Sequence, residues 1–546
     1  MKKISILVVM LLMSIISFST TYHSGTINKS VTWYQADAPH VINGALTISG
    51  TGVVLTLETG SDLTIYANTG ITINSNATMA VQSGCSITMG SIISIASTGT
   101  MTIAQSCNIS ISGLFYQDPL PPYYFIYESY YFDVDGTFQA TGTSGNEITF
   151  TNGVAQGWWG IRFNSGATGS LQYCTIEYAI KQNTSSYTVN TTYCGGAVWI
   201  NGTSTVVTIK NCEFRNNEAS CGAAIFCNNV NTNTSIESNI FHDNTATDGG
   251  AIGLYIGDCE LYLNTFYDNS ADANGGAVYL TNGSSPEIYN DLFYDNSAGN
   301  GGAIYLVDSD PDIYNCTISD NSASSGGGVY YTGTSTLDFR NTILYFNSSD
   351  QVFPNPDNNT GVYYYCDIEN INFAGTNNNI SSDPQFVGSG NLPYTISGAN
   401  YSPCEDAGDP GLTLLTAYTT VDLKGDTRIT LGTYIDIGAY EYESGATYKV
   451  FGVEDTELQN DHTVFSYSFN YTRYSSHFNF QLPEAGNISI VLIDVSGKMH
   501  KTILNNVFPE GDNTFNWQQD NLAKGIYQIT IIYNGMIQGC EKFLVI

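Results

Sequence analysis

Two short patterns recur in this chain with one shared period, and that period limits the fold more than any other feature. The first is Gly-Gly-Ala followed by an apolar residue. It occurs at Gly195-Gly196-Ala197-Val198, Gly249-Gly250-Ala251-Ile252, Gly275-Gly276-Ala277-Val278 and Gly301-Gly302-Ala303-Ile304, with degenerate copies starting at Gly222 and Gly326. The successive spacings are 27, 27, 26, 26 and 25 residues. The second is an apolar residue followed three positions later by Asn: Phe214/Asn217, Phe241/Asn244, Phe266/Asn269, Phe293/Asn296, Ile318/Asn321 and Leu344/Asn347. Two independent markers keeping step over six copies define a repeat of about 26 residues.

Each copy carries two or three short apolar segments, such as Ala303 to Leu306, Asp312 to Asn315 and Cys316 to Ile318. They are too short and too β-rich for helices and are bounded by Gly, Asn, Asp or Ser. One copy cannot bury its inward face alone, so copies must stack, with equivalent residues about 4.8 Å apart. The predicted fold is all-β, a right-handed parallel β-helix. The Phe and Ile positions form an internal apolar ladder, and Asn217, Asn244, Asn269, Asn296, Asn321 and Asn347 form a structural ladder at a turn, each amide able to donate and accept. A leucine-rich repeat would need more Leu in a fixed frame, and a propeller blade needs about 40 residues.

The organisation read along the chain is as follows. Residues 1–19 have the form of a signal peptide: Lys2 and Lys3, an apolar run from Ile4 to Ile16, then small residues at Ser17 and Ser19. Residues 20–381 are assigned to the β-helix, with regular coils over 194–350 and shorter, looser ones before about 113. Segments 115–133 and 180–193 read as excursions. Residues 382–442 break the repeat, as expected of a segment that closes the open end of the stack. A linker is expected over 443–470, and residues 471–546 alternate as in a small antiparallel β-sandwich.

Charge narrows the partners. Sixteen Lys and Arg face 49 Asp and Glu, a net charge of −33. Such a chain repels nucleic acid and anionic lipid headgroups. No membrane span is expected in the mature chain. The expected partners are a polysaccharide or a cell-surface glycan, although an anionic glycan needs a local remedy for the charge, such as a bridging metal ion. The cysteines Cys174, Cys212 and Cys316 each stand two residues before the apolar ladder position and read as buried filler.

No catalytic constellation is apparent. His242, the single His of the repeat region, stands where other copies have Arg215, Tyr267 or Ser319 and is expected to face outward. Trp158, Trp159, Trp199 and Arg162, with Lys181 nearby, make a candidate glycan contact. Asp243, Asp268, Asp295 and Asp320 precede the ladder Asn and form an acidic row, a solvated turn face or a candidate Ca²⁺-binding edge. Otherwise no cofactor is expected.

Three resemblances follow from these motifs. The GGA(I/V) and FxxN pair over about 195–347 resembles the repeats of chlamydial polymorphic outer-membrane proteins and related bacterial β-helices. The segment DPQF…SPCEDAGDP…DLKGDTR…DIGAYEY is similar to the closing segment of bacterial secreted β-helix proteins, with Cys404-Glu405 where that pattern has Ala-Ile. The C-terminus resembles the sorting domain of the Bacteroidetes type IX secretion system, with Lys524, Gly525, Tyr527 and Lys542 at the family's characteristic positions. The usual Tyr-Pro-Asn-Pro opening is missing, which leaves the start of the domain open. The resemblance implies partnership with the type IX machinery and a secreted or surface location outside a Gram-negative outer membrane. The expected function is non-catalytic adhesion or glycan binding. The alternative is a polysaccharide lyase or glycoside hydrolase, with the two excursions walling a cleft.

Overall fold

The computed structural model describes residues 20–111, 130–152, 158–181, 194–354, 363–370, 376–388, 394–396, 402–409, 421–426, 428, 435–441, 466–471, 475–494, 499–518, 525–533 and 536–545. The expected signal peptide, Lys524 and most of both excursions lie outside these residues. Two compact units result, residues 1–441 and 442–546.

The first unit is a right-handed parallel β-helix with three faces. In a regular coil the first face follows Gly-Gly-Ala, for example Ile225–Asn228. The second is Ser235–Glu237 and the third, carrying the apolar ladder, is Ile240–His242. The second-face strands stack into one 13-stranded parallel sheet. The other two faces run separately but share their start. There the long strand His40–Ile48 pairs through His40–Ile42 with Leu63–Ile65 and through Leu46–Ile48 with Ile71–Ile73. In the regular coils a short fourth segment, such as Thr245–Asp248, follows the ladder Asn and forms its own six-stranded sheet.

Inward positions alternate with outward ones along every strand, as the pleat requires. Phe214, Phe241, Phe266, Phe293, Ile318 and Leu344 are all fully buried. The four Phe rings stack at centroid distances of 5.0, 4.8 and 4.7 Å, within 12° of parallel. Each buried ring contributes about 1.5–3 kcal/mol from removal of apolar surface.

The coils bend through left-handed residues. After the third face these are Asn216, Asp243, Asp268, Asp295 and Asp320, all with φ between 52° and 57°. Asn and Asp tolerate this conformation best among residues with a side chain. The two glycines of the repeat have different reasons. The first takes a positive φ, 65° at Gly275. The second lies against the next coil: a Cβ on Gly276 would stand 2.1 Å from the Gly302 carbonyl oxygen.

The segment 382–442 does more than close the stack. Cys404 reaches the last coil through Asp367 (Sγ to Oδ2, 3.1 Å). Described residues further on meet the side of the helix. Val421 O accepts from Asn290 Nδ2, the Ala439 N–H donates to Thr317 Oγ1, and the Gly438 N–H donates to Asn341 O, one contact in each of three successive coils. Fully buried Arg428 holds the segment together by donating to Gly438 O and pairing with Glu441.

The second unit contains two antiparallel sheets, of three strands (Ser466–Tyr471, Ser475–Leu482, Gly511–Gln518) and four (Gly486–Asp494, Met499–Phe508, Gly525–Tyr533, Met536–Val545). Phe478, Phe480 and Trp517 of one share a core with Ile488, Ile490, Leu492 and Ile531 of the other. Its first strand begins at Ser466, inside the segment read as linker. Gly525 and Tyr527 lie on one strand and Lys542 on its neighbour, where Gln528 pairs with Lys542. Among the described residues no helix is long and apolar enough to cross a membrane.

Candidate ligand-binding site on the coil surface

Parallel stacking turns each outward position into a row running along the helix axis. On the first face the row is Asp133, Arg162, Trp199, Phe226, Gly253, Tyr279, Tyr305, Tyr330 and Phe353. Sugars bind aromatic side chains through the flat face of the ring, so ring orientation decides what such a row can do. Tyr279, Tyr305, Tyr330 and Phe353 stack on one another at 5.6, 5.1 and 5.4 Å, within 27° of parallel. Their faces are therefore spent on each other and they present edges outward. Tyr267 and Tyr294 on the third face do the same, at 5.1 Å. These five tyrosines thus pack the coils together instead of offering platforms.

The N-terminal end of the first-face row is different. The Arg162 guanidinium lies over two rings, 4.7 Å from the Trp199 centroid and 5.4 Å from that of Tyr131. Contact with the rings covers the guanidinium face and leaves its N–H edge for an in-plane acceptor. Lys181 stands beside it, fully buried, 5.7 Å from the Trp159 ring and donating to Cys194 O at 2.8 Å. Burial, with the Arg162 charge adding to it, lowers the Lys181 amine to about 6. Trp199 packs on Phe226 and on the Cys194–Cys221 disulfide, which ties two coils at this corner. Its shielded indole N–H has no acceptor among the described residues.

Cation pairing distinguishes this cluster from the later cations of the first unit, although Lys29 in the first coil and Lys501 in the second unit also have no ion pair among the described residues. Lys210 pairs with Glu237, Arg215 with Glu177 and Glu213, Arg340 with Asp338, Lys424 with Asp426 and Arg428 with Glu441. Among the described residues, neither Arg162 nor Lys181 has a carboxylate within ion-pair distance. The nearest acid in the row, Asp133, accepts from Asn164 Nδ2 at 2.9 Å.

Trp158 does not belong to the exposed cluster. The Trp-Trp pair straddles the pleat, so Trp158 turns inward and is fully buried against Phe150, with its indole N–H on Glu177 O, while Trp159 faces out. His242 faces outward, stacked on Tyr267 and hydrogen-bonded to Glu213 and Asp243, part of an ion network joining three coils. The four Asp of the acidic row occupy the left-handed corner. Their carboxyls feel each other: Asp295 is raised by burial and by Asp320 and Asp268. Among the described residues, however, no three His, Cys, Asp or Glu side chains are arranged to hold a metal ion.

The six Asn form a continuous hydrogen-bonded column. Asn269 accepts from the Asn244 N–H and Nδ2 (3.3 and 2.9 Å) and its own Nδ2 donates to Asn296 Oδ1 and Phe241 O (3.0 and 2.9 Å). A second column, not expected from the sequence, runs at the corner between the second and third faces: Cys212, Asn239, Asn264, Asp291, Cys316, Thr342 and Cys366. Asn239 Oδ1 accepts from the Cys212 N–H at 2.9 Å, Asn264 Oδ1 from Asn239 at 3.0 Å, and Asp291 Oδ1 from Asn264 at 2.6 Å. The signal is in the sequence, since each member stands two residues before the apolar ladder position, as Cys174, Cys212 and Cys316 do.

No curated protein matches the chain at a significant level. Residues 196–388 match the model of the family described as the right handed beta helix region, and with the observed coil geometry this identifies the first unit as a right-handed parallel β-helix.

Proposed function

We propose that this is a secreted or cell-surface glycan-binding β-helix, non-catalytic, whose ligand site is the cluster of Tyr131, Trp159, Arg162, Lys181 and Trp199. One observation carries the reading. In a chain of net charge −33, Arg162 has no carboxylate partner among the described residues and presents its N–H edge beside two aromatic rings. A guanidinium so held suits the carboxylate or sulfate of an acidic sugar, bound bidentately through its N–H edge. The local positive charge answers the mismatch between an acidic protein and an anionic glycan without a metal bridge. Export by the N-terminal signal and sorting by the C-terminal unit, through the type IX machinery, complete the proposal.

A polysaccharide-cleaving alternative is favoured by Lys181 alone. An amine lowered to about 6 is largely neutral at pH 7 and competent to take a proton. Calorimetry with defined uronate and neutral oligosaccharides tests the first reading. Binding of the acidic series is expected, weakened roughly ten- to hundredfold by Arg162→Ala, the loss of a charge-assisted hydrogen bond. No binding, or equal affinity of the variant, removes it. Release of unsaturated or reducing ends during the same incubation would favour the enzyme.

A further inference from the structure

The corner between the second and third faces carries one unbroken column along the helix. In register it reads Ser61, Cys85, Cys107, Ile148, Cys174, Cys212, Asn239, Asn264, Asp291, Cys316, Thr342 and Cys366. Six of its members are cysteines, and all six are buried. Twice, two cysteines are vertical neighbours. The backbone pairs Asn108 with Ser86, which sets Cys107 directly beside Cys85, and pairs Thr175 with Glu213, which sets Cys174 beside Cys212. Parallel neighbours lie about 4.8 Å apart, inside the 4.4–6.8 Å Cα range of disulfides. Cys194 and Cys221, also paired across two adjacent coils, are bonded at a Cα distance of 4.6 Å.

We propose that Cys85–Cys107 and Cys174–Cys212 are two further coil-to-coil disulfides of the folded, exported protein. Within both pairs the side chains lie close enough to perturb one another, and all four thiols donate to backbone carbonyls: Cys85 to Glu58 O and Cys107 to Gln82 O at 3.1 Å, Cys174 to Gln172 O at 3.4 Å and Cys212 to Lys210 O at 3.3 Å. The oxidant is a protein disulfide of the dithiol oxidoreductase class. The Cys85 thiolate attacks one sulfur of that disulfide and expels the other as a thiol. The Cys107 thiolate then attacks Cys85 Sγ in the mixed disulfide and expels the second thiol. The pair loses two electrons and two protons, and the oxidant gains them. Both pairs react in this way as their coils stack, before the sulfurs are closed off inside the helix. Cys316 and Cys366 have Thr342 between them in the column, so neither has a vertical cysteine partner there and both remain thiols.

The test is peptide mapping by mass spectrometry of full chain secreted into an oxidising compartment, denatured with alkylating agent and digested without reduction. Cross-linked peptides for Cys85–Cys107 and Cys174–Cys212 are expected beside Cys194–Cys221, with alkyl groups on Cys316 and Cys366. The Cys194–Cys221 bond is the internal standard. If it is cross-linked while Cys85, Cys107, Cys174 and Cys212 carry alkyl groups, the proposal is wrong. Melting supplies a second reading. Reductant is expected to lower the wild-type melting temperature by several degrees more than that of a Cys85→Ser/Cys107→Ser double variant, and an equal response of the two overturns the first of the pairs.

Discussion

The coils before residue 111 and those from 194 to 350 solve the same problem with different corners. In the early coils equivalent residues are 24 and then 22 apart, as Leu55, Met79 and Met101 show. In the regular coils they are 25 to 27 apart, as with Ile236, Leu261 and Ile288. The three inward strands are alike in both. The difference lies between the third face and the first. In an early coil only Gly90 to Ile92 separate Met89 from Ile93, and the corner hugs the coil before it: a Cβ on Gly90 would meet Ile65 O at 2.6 Å. In a regular coil that gap holds the left-handed residue, the ladder Asn, the fourth segment and Gly-Gly. A wider corner brings polar backbone inside, and each inward amide answers for it with a column of hydrogen bonds. The early coils need no such column. Their outward rows are small hydroxyl residues, for example Thr47, Thr72 and Ser94, where the regular coils carry stacked tyrosine.

The largest test of this contrast compares an inward amide with an outward hydroxyl. Asn269→Leu strands the Asn244 N–H and Phe241 O at least, and at about 1–3 kcal/mol for each orphaned group the array should lose about 2–6 kcal/mol. Thr72→Ala, on an exposed row of the early coils, should stay within about 0.5 kcal/mol. Melting of the two variants reads the difference, and similar stabilities would mean that the column is not what holds the wide corners.

A smaller effect sits in the second column. Asp291 occupies a rung where two other coils place Asn. It is fully buried, its Oδ2 has no partner among the described residues, and burial pushes its carboxyl well above the ordinary value. A carboxyl raised in the folded state holds its proton where the unfolded chain has lost it. Its contribution is therefore fully present below the unfolded value near 3.9 and is lost as pH rises toward the folded value. Asp291→Asn supplies a neutral amide at all pH, and it should stabilise the protein by about 1–3 kcal/mol at pH 7 and by less at pH 4. Asp367, raised to about 6, and Glu441, raised to about 8, act in the same direction in the wild type. A pH-independent difference between Asp291→Asn and wild type would show that the acid is ionised in the fold.

What could be read in advance divides along physical lines. The period, the apolar ladder and the six Asn were legible because stacking repeats the same residue at the same place. The fourth segment was hidden, since Thr245–Asp248 or Ser297–Asn300 has no apolar alternation to mark it as strand. The second column was hidden for a different reason: Cys, Asn, Asp and Thr alternate there, and only geometry shows that they share one corner. The side-on contacts of Val421, Gly438 and Ala439 are with Asn290, Asn341 and Thr317, about a hundred residues earlier, which no local pattern announces. Trp158 and Trp159 looked equivalent until the pleat assigned one to the core. At the candidate cluster, residue types were legible but pairing was not: among the described residues Arg215 meets Glu177 and Glu213, and Arg162 meets no carboxylate.

The smallest expected effect concerns the acidic row, which the early coils lack. Asp243, Asp268, Asp295 and Asp320 have a conformational reason to be there: each sits at φ between 52° and 57°, where Asp and Asn are the side chains least strained. Their repulsion is real, since Asp320 and Asp268 both raise Asp295. It is also modest, because exposed charges one coil apart are screened by water and salt, and partners share the load. Asp243 meets His242, and Asp320 accepts from Ser319 and from Tyr394. Asp268→Asn keeps a residue suited to the corner and removes one repulsion, so stability should rise by no more than about 0.5 kcal/mol. Asp268→Val, β-branched at positive φ, should instead cost about 1–2 kcal/mol. Millimolar Ca²⁺ is expected to leave the melting temperature of wild type and of Asp268→Asn alike. A Ca²⁺-dependent rise in the wild type that Asp268→Asn abolishes would turn the row from a set of corner residues into a binding edge, and would overturn the conformational account.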